Sequence, residues 1–139
     1  MEPQEVLSIH VHCEKSEAVE GKSGRAQMIY FTGEADSPAF HGRILPGGID
    51  TQLQRGGRRT LSARYLLEGT DAAGRPCRIF IENNAVIGPD PQAGILRATP
   101  HVLTDSPALQ YLETSPLTAA ITPEEGGIRI ILSVLPAAY

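Results

Sequence analysis

The sequence predicts an all-β protein, a single antiparallel β-barrel of about eight to nine strands with one short helix. Apolar and polar residues alternate with period two along most of the chain. Turn residues interrupt this alternation at roughly 8–12-residue intervals, as in sandwiches and barrels. The 14 glycines and 11 prolines among 139 residues leave little room for long helices. This length suits one domain, so we expect residues 1–139 to form one barrel.

Four strands are predicted in the first half of the chain. They are Val6–Cys13, Arg25–Thr32, Phe40–Leu45 and Thr60–Glu68. The first alternates cleanly, with Leu7, Ile9, Val11 and Cys13 on one face and Ser8, His10 and His12 on the other. The polar stretch from Glu14 to Gly24 is predicted to be a connection, and the Pro46-Gly47-Gly48 turn ends the third strand.

The second half continues the pattern. Its predicted strands are Cys77–Glu82, Ala85–Ile87, Ile95–Leu103, Leu117–Ile121 and Ile128–Leu135. Asn83-Asn84 predicts a tight turn or bulge, because Asn tolerates left-handed backbone. Pro100 indicates an edge, bulge or break, because proline cannot donate to a ladder. Asp71–Gly74 and Gly88–Pro91 are predicted loops, and Ser106-Pro107 is typical of a helix start, with the helix following over Ala108–Glu113.

The last predicted strand is apolar on both faces. Ile130 and Leu132 mark one face, whereas Ile131 and Leu135 mark the other. A barrel strand needs only one apolar face, so part of the outside should be covered. A second copy of the chain would make the protein a homo-oligomer. A loop or helix of the same chain is the other explanation.

The net charge limits the expected partners, and the first residues indicate where the protein is located. Sixteen acidic residues against 12 basic ones give a formal net charge of −4, which favours neither nucleic acid nor an anionic membrane as a partner. The start lacks the basic and apolar regions of a signal peptide, so we expect a cytoplasmic protein. Cys13 and Cys77 could pair on count alone, but two reduced, buried thiols are the simpler interpretation.

The segment from Gly42 to Asp50 resembles a family called domain of unknown function 3237, also named uncharacterised protein family 0311. The matching pieces are Phe40 and Gly42, Pro46-Gly47-Gly48-Ile49-Asp50, and Ala63-Arg64-Tyr65, with weaker matches at Ile79–Asn83 and Leu109–Leu112. The resemblance extends from about Gly24 to Val134. It departs at Thr51, where the family often has Trp, and at Asp71–Gly74, which replaces an Asp-Gly hairpin. It implies a small antiparallel barrel, similar to allene-oxide-cyclase-like, dirigent-like or calycin-like barrels.

Asp50 and Arg64 are the candidate catalytic residues. The two glycines before Asp50 permit a turn that could aim its carboxylate into a barrel mouth, where an apolar surrounding would raise its pKa and suit acid–base chemistry. Alternatively, Asp50 simply holds the turn through backbone hydrogen bonds. Inside the barrel, Arg64 would need Asp50, Glu82 or an anionic ligand group as a partner. Outside, it is an ordinary surface arginine.

Four further residues are candidates for ligand binding: Tyr65, Tyr30, His101 and Glu82. The two tyrosines offer hydroxyl donors, although a core aromatic needs no such role. His101 could line the mouth as a proton shuttle. No cofactor or metal site is predicted: His10 and His12 share a strand face and could bind zinc only with a third ligand such as His41, His101 or Glu82, so a solvated strand face is the favoured interpretation.

Two functions remain open from the sequence. The first is a small-molecule-binding barrel that performs a cofactor-free cyclisation, isomerisation or elimination (lyase reaction) on a small apolar substrate. The second is a non-catalytic ligand carrier or a structural oligomeric barrel, because side chains alone can fill a barrel of about eight strands. No nucleotide-binding or serine-hydrolase motif occurs. The basic loop from Arg55 to Arg59 could attract phosphate or be a solvated hairpin tip.

Overall fold

The computed structural model describes residues 2–87 and 96–136. One nine-stranded antiparallel sheet contains all the strands. In chain order they are β1 (Gln4–Gly21), β2 (Gly24–Ser37), β3 (Phe40–Ile44), β4 (Gly48–Arg55), β5 (Arg58–Asp71), β6 (Pro76–Ile87), β7 (Leu96–Thr104), β8 (Leu117–Glu124) and β9 (Gly127–Val134). Within these described residues there is one 3₁₀ turn, η1 (Gln110–Glu113), which lies between β7 and β8.

The sheet closes on itself. Strands that follow one another along the chain pair with each other, except β3 and β4, and β9 pairs with β1 to complete the ring. Strands β3 and β4 both lie between β2 and β5, one beyond the other, so together they occupy one position in the wall. The wall is therefore an up-and-down barrel. The predicted all-β antiparallel barrel is confirmed, although the sequence did not indicate β4.

The polar stretch after Cys13 is strand rather than a connection. β1 continues to Gly21 and pairs with β2 down to Gly24, with one register shift between Cys13 and Lys15. Most of this extension is exposed. Backbone pairing within the hairpin satisfies the ladder while both faces stay in water, so no apolar alternation is required. The prediction of a connection over Glu14–Gly24 is wrong for this reason.

Strand β6 is also longer than the pattern predicts. Its ladder with β5 runs without a register shift, and Asn83 and Asn84 are ordinary paired positions opposite Ala63 and Ser62. The predicted turn or bulge at this point is wrong. Strand β7 continues through Pro100, which pairs with Asn83 on β6, but its ladder with β8 covers only Leu96–Ala98, so Pro100 lies at an edge as the sequence allowed. The predicted Gly88–Pro91 loop and the strand start at Ile95 lie outside the described residues.

One end of the barrel is closed by the segment between β7 and β8. Leu109 and Leu112 of this segment are buried in the hydrophobic core. The Ser106 hydroxyl does not cap a helix; it donates a hydrogen bond of 2.6 Å to Asp71 Oδ2 at the β5–β6 hairpin. The predicted helix over Ala108–Glu113 is therefore reduced to the 3₁₀ turn, because side-chain burial and this bond determine the backbone here.

The outer surface leaves the predicted oligomer open. Ile131 is partly exposed, and Leu135 is exposed at 37%. The homo-oligomer remains a prediction.

The break between β3 and β4 sets the position of Asp50. Four residues, 45–48, separate the β3 and β4 ladders, whereas β5 uses only two, 65 and 66. Gly47 accommodates the two additional residues with φ +111°, a backbone conformation that residues with a side chain disfavour. A Cβ at Gly48 would lie 2.9 Å from the Phe31 ring. Because the excess is even, the alternation resumes in phase, and Asp50 faces inward like Phe40 and Ile44.

Replacement of Gly47 should weaken the fold. Gly47→Ala is expected to lower the free energy of unfolding by about 1–3 kcal/mol, because alanine resists this φ. Urea denaturation of the variant and the wild type measures the difference. Gly21→Ala is the matched control, since a Cβ there would meet an ordinary contact of 3.6 Å. Equal stability of both variants would show that the Gly47 backbone is not strained by a side chain.

Candidate active site

The other end of the barrel contains a cavity of about 240 Å³. Its wall is mainly aliphatic, formed by Val11, Ile29, Leu61, Ile121, Ile128 and Ile130 among others. Three polar side chains interrupt this wall, namely Asp50, Gln52 and Asn83. An apolar pocket with a few convergent polar groups is the usual form of a small-molecule site.

Asp50 and Asn83 lie in one row across the wall. The register places Ala63 opposite Asp50 on one side and opposite Asn83 on the other. Neighbouring strands are about 4.8 Å apart, so the backbones of Asp50 and Asn83 are separated by roughly 10 Å. The small Ala63 side chain leaves the space between the two polar groups free.

The Asp50 carboxylate is held at one oxygen only. Gln52 Nε2 donates a hydrogen bond of 2.9 Å to Asp50 Oδ2, whereas Oδ1 is buried and has no partner among the described residues. Burial raises the pKa of Asp50 above its ordinary value of 3.8, and the hydrogen bond from Gln52, the charge of Arg59 and the nearby Ser62 backbone oppose the rise. The carboxylate is therefore a stronger base than an exposed aspartate.

Gln52 connects this carboxylate to the rim. The Arg59 guanidinium donates a hydrogen bond to Gln52 Oε1, which fixes the amide so that its NH₂ group faces Asp50. The side chains of Arg59, Gln52 and Asp50 thus form a continuous line from the rim into the cavity. Asn83 is only 1% exposed, and its Oδ1 has no partner among the described residues. Asp50 Oδ1 and Asn83 Oδ1 are thus two buried acceptors without a partner among the described residues, on two side chains that line the cavity.

Arg64 does not share this cavity. It follows the inward-facing Ala63 on β5, so it points outward, and its Nε donates to Glu82 Oε2 at 2.8 Å. The Arg64 side chain is 67% exposed. His101 lies opposite Glu82 on β7 and lines the same shallow groove on the outer wall. The structure thus separates Arg64, Glu82 and His101 from Asp50, because the strand period of two places them on opposite faces.

The two candidate tyrosines lie elsewhere as well. Tyr65 faces the interior but is only 3% exposed and packs edge-on against Phe31, with ring centroids 5.4 Å apart. Its hydroxyl has no partner among the described residues, and burial raises the pKa of Tyr65. Tyr30 points outward, where the Lys15 ammonium lies 5.0 Å from the ring centroid. Tyr65 therefore underlies the cavity, and Tyr30 is outside it.

The histidines on the outer wall pair with separate carboxylates. His10 contacts Glu124 at 2.7 Å, and His12 contacts Glu34 at 3.0 Å. Within residues 2–87 and 96–136, no group of three or more His, Cys, Asp or Glu side chains is placed to hold a metal ion. The cysteines are both free: Cys77 is buried as predicted, whereas Cys13 is exposed and lines the cavity.

Sequence reasoning overlooked Gln52, Ala63 and Asn83 as functional residues. Asn83 carried a usable signal, because it continues the inward series of Ile79 and Ile81 on β6 and is a polar residue on an apolar face. Gln52 had no such signal, since the strand that carries it was not recognised.

The fold and the cavity define a small up-and-down β-barrel with one open, largely apolar end. The chain belongs to the family described as protein of unknown function DUF3237, whose model matches residues 2–124. A UPF0311 protein of Clostridium acetobutylicum is 38% identical over 90 residues, which are 62% of this chain and 54% of that protein. The alignment therefore spans about half the length of this curated relative.

Solved structures share the fold. The crystal structure of a protein with unknown function from Clostridium acetobutylicum has a TM-score of 0.80 and 28% identity, over 97% of this chain and 100% of that chain. An enzyme from Penicillium herquei has a TM-score of 0.68 and 15% identity, over 97% of both chains. In the described part of this chain, no helix has the length and apolar character needed to cross a membrane.

The raised pKa of Asp50 predicts a pH-dependent cost to stability. A carboxyl group whose folded-state pKa is raised favours folding at pH values below about 3.8, and this contribution is lost as the pH rises through the raised value. Asp50→Asn removes the dependence. We therefore expect the variant to be at least as stable as the wild type at pH 7. Its free energy of unfolding relative to that of the wild type should increase from pH 4 to pH 7.

Urea denaturation of both proteins at the two pH values measures this effect. A variant that is less stable than the wild type at pH 7 would instead show that Asp50 holds the turn together.

Proposed function

We propose that this barrel binds an apolar small molecule in its open end and that Asp50 acts on it as a general base and acid. The observation that carries the proposal is Asp50 Oδ1, which is buried and has no partner among the described residues, on a mainly aliphatic cavity wall. A buried carboxylate oxygen without a partner costs stability. A bound substrate that offers a proton at this position would relieve that cost.

The reaction class follows from what one carboxylate can do. Asp50 Oδ1 takes a proton from a C–H or O–H group of the substrate and returns it to another atom of the same molecule. Such a transfer gives an isomerisation, a ring closure by addition of O–H across C=C, or an elimination in which the leaving group receives the proton. Atoms and electrons balance in each case, so the proposal requires no cofactor. Correct placement of a general base contributes about 10²–10⁴-fold to the rate.

The neighbouring side chains support this role. Gln52 holds Oδ2 and leaves Oδ1 as the reacting oxygen. Asn83 offers a second acceptor that can orient a hydroxyl or amine group of the substrate. The aliphatic wall excludes water from the bound molecule. The fold similarity to an enzyme from Penicillium herquei is consistent with catalysis in such a barrel.

A non-catalytic carrier is the alternative, and the apolar lining of the cavity favours it as well. The two functions differ only in whether Asp50 does chemistry. Binding and proton transfer must therefore be tested separately.

Binding should depend on the space above Ala63. Ala63→Leu is expected to abolish uptake of the neutral fluorophore N-phenyl-1-naphthylamine, because the larger side chain fills the gap between Asp50 and Asn83. Ser62→Leu on the outer face of the same strand is the matched control and should bind normally. Fluorescence titration measures both. Equal binding by the Ala63 variant would place the fluorophore elsewhere and contradict the proposed site.

Proton transfer can be measured without the natural substrate. The wild type should accelerate exchange of the acidic α-protons of 2-tetralone in D₂O, as followed by NMR, and the rate should rise as Asp50 loses its proton. Asp50→Asn should slow the catalysed exchange by about 10²-fold or more, while binding of N-phenyl-1-naphthylamine is unchanged. Undiminished exchange in the variant would exclude Asp50 as the base and leave the carrier function.

A further inference from the structure

The inward face of the wall continues beyond the cavity towards the rim. On β2, β4 and β5 the register defines successive inward rows. The row of Asp50 is followed by Gln27, Gln52 and Leu61, and then by Arg25, Gln54 and Arg59. The first of these three rows thus carries one carboxylate, the second carries two amides, and the third carries two arginines beside Gln54.

The two arginines line one recess. It has a volume of about 140 Å³ and adjoins the cavity at the shared residue Gln52. The recess is formed by Arg25, Gln27, Gln52, Leu53, Gln54 and Arg59. Within the described part of the chain, neither Arg25 nor Arg59 forms an ion pair, although the protein has a net charge of −4. Two arginines without carboxylate partners therefore face the entrance of an apolar cavity.

Neutralisation of Asp50 does not account for both arginines. The charge of Arg59 does lower the pKa of Asp50, and its guanidinium holds Gln52. Arg25 is not among the groups that shift the pKa of Asp50. It nevertheless lines the recess on the side opposite Arg59, with Gln54 between them.

We propose that the substrate of this barrel is an amphipathic carboxylate, whose apolar part fills the cavity while Arg25 and Arg59 hold its carboxylate in the recess. The proposal rests on the proposed function and adds the substrate class to it. A guanidinium fork matches a carboxylate in shape and can bind it through two parallel hydrogen bonds. The flanking positions of Arg25 and Arg59, roughly 10 Å apart at the backbone, allow both side chains to converge on one group.

The rows also give the length of the substrate. Asp50 and Gln54 are four residues apart on β4, which corresponds to about 13 Å along the strand. The carboxylate should therefore lie about 13 Å from the atom that exchanges a proton with Asp50. A chain of about ten carbons spans this distance, so decanoate is a suitable probe and 1-decanol is its uncharged counterpart.

The test compares the two probes in displacing N-phenyl-1-naphthylamine from the wild type, Arg25→Gln and Arg58→Gln. Arg58 belongs to the same rim but lies on the outer face of β5, so its replacement changes the net charge equally without altering the recess. We expect the wild type to prefer decanoate to 1-decanol at least fivefold at low salt. Arg25→Gln should lower decanoate affinity roughly fivefold and leave 1-decanol unchanged, whereas Arg58→Gln should affect neither.

Any different result contradicts the proposal, and each such result identifies a different error in it. Equal affinity of decanoate and 1-decanol for the wild type would exclude a carboxylate site and leave the apolar cavity of the proposed function intact. An equal loss of decanoate affinity in the Arg25 and Arg58 variants would show that the net positive charge of the rim attracts the probe, without a specific site for its carboxylate. If neither decanoate nor 1-decanol displaced the fluorophore, the proposed substrate class would be wrong. If the fluorophore itself did not bind, the proposed function would be wrong as well.

Discussion

Closure of the sheet between β1 and β9 is the constraint on which the rest of the structure depends. Once the ring is complete, every strand residue faces either the interior or the solvent, and sequence neighbours face opposite ways. Asp50 is directed inward and Arg64 outward by this alternation, which resumes in phase after the break between β3 and β4. The proposed chemistry follows from the same separation, since a carboxylate with Arg64 beside it would be neutralised, whereas one surrounded by aliphatic side chains keeps its basicity.

The interior is not uniform along the barrel axis. At the closed end, Leu109, Leu112 and their neighbours fill the space, so the core there serves stability. At the open end, the small Ala63 and the buried acceptors of Asp50 and Asn83 leave space and unsatisfied polar atoms. Selection for stability alone would fill this space and remove these atoms. The contrast between the two ends supports a function for the open one.

Strand alternation predicted the fold because only one face of most strands is buried. The prediction was wrong where this condition fails. The end of β1 is exposed on both faces, β4 begins after a glycine break and carries polar inward residues, and Asn83 is a polar residue on an inward face. Asp50 was found through the glycines before it. Its hydrogen-bond partner Gln52 and its row neighbour Asn83 were not, because nothing in their local sequence indicates which strands are neighbours.

The sequence by itself determined the antiparallel barrel, most of its strands and the candidate carboxylate, because period-two patterning and turn residues are local properties of the chain. It indicated the family through the resemblance of short motifs such as Pro46-Gly47-Gly48-Ile49-Asp50. Only the tertiary structure decided that Arg64 and Glu82 pair outside, that Asp50 shares a row with Asn83, and that Arg25 and Arg59 meet at one rim. These relations depend on strand register and ring closure. Both arise from contacts between residues far apart in the chain, which no local pattern encodes.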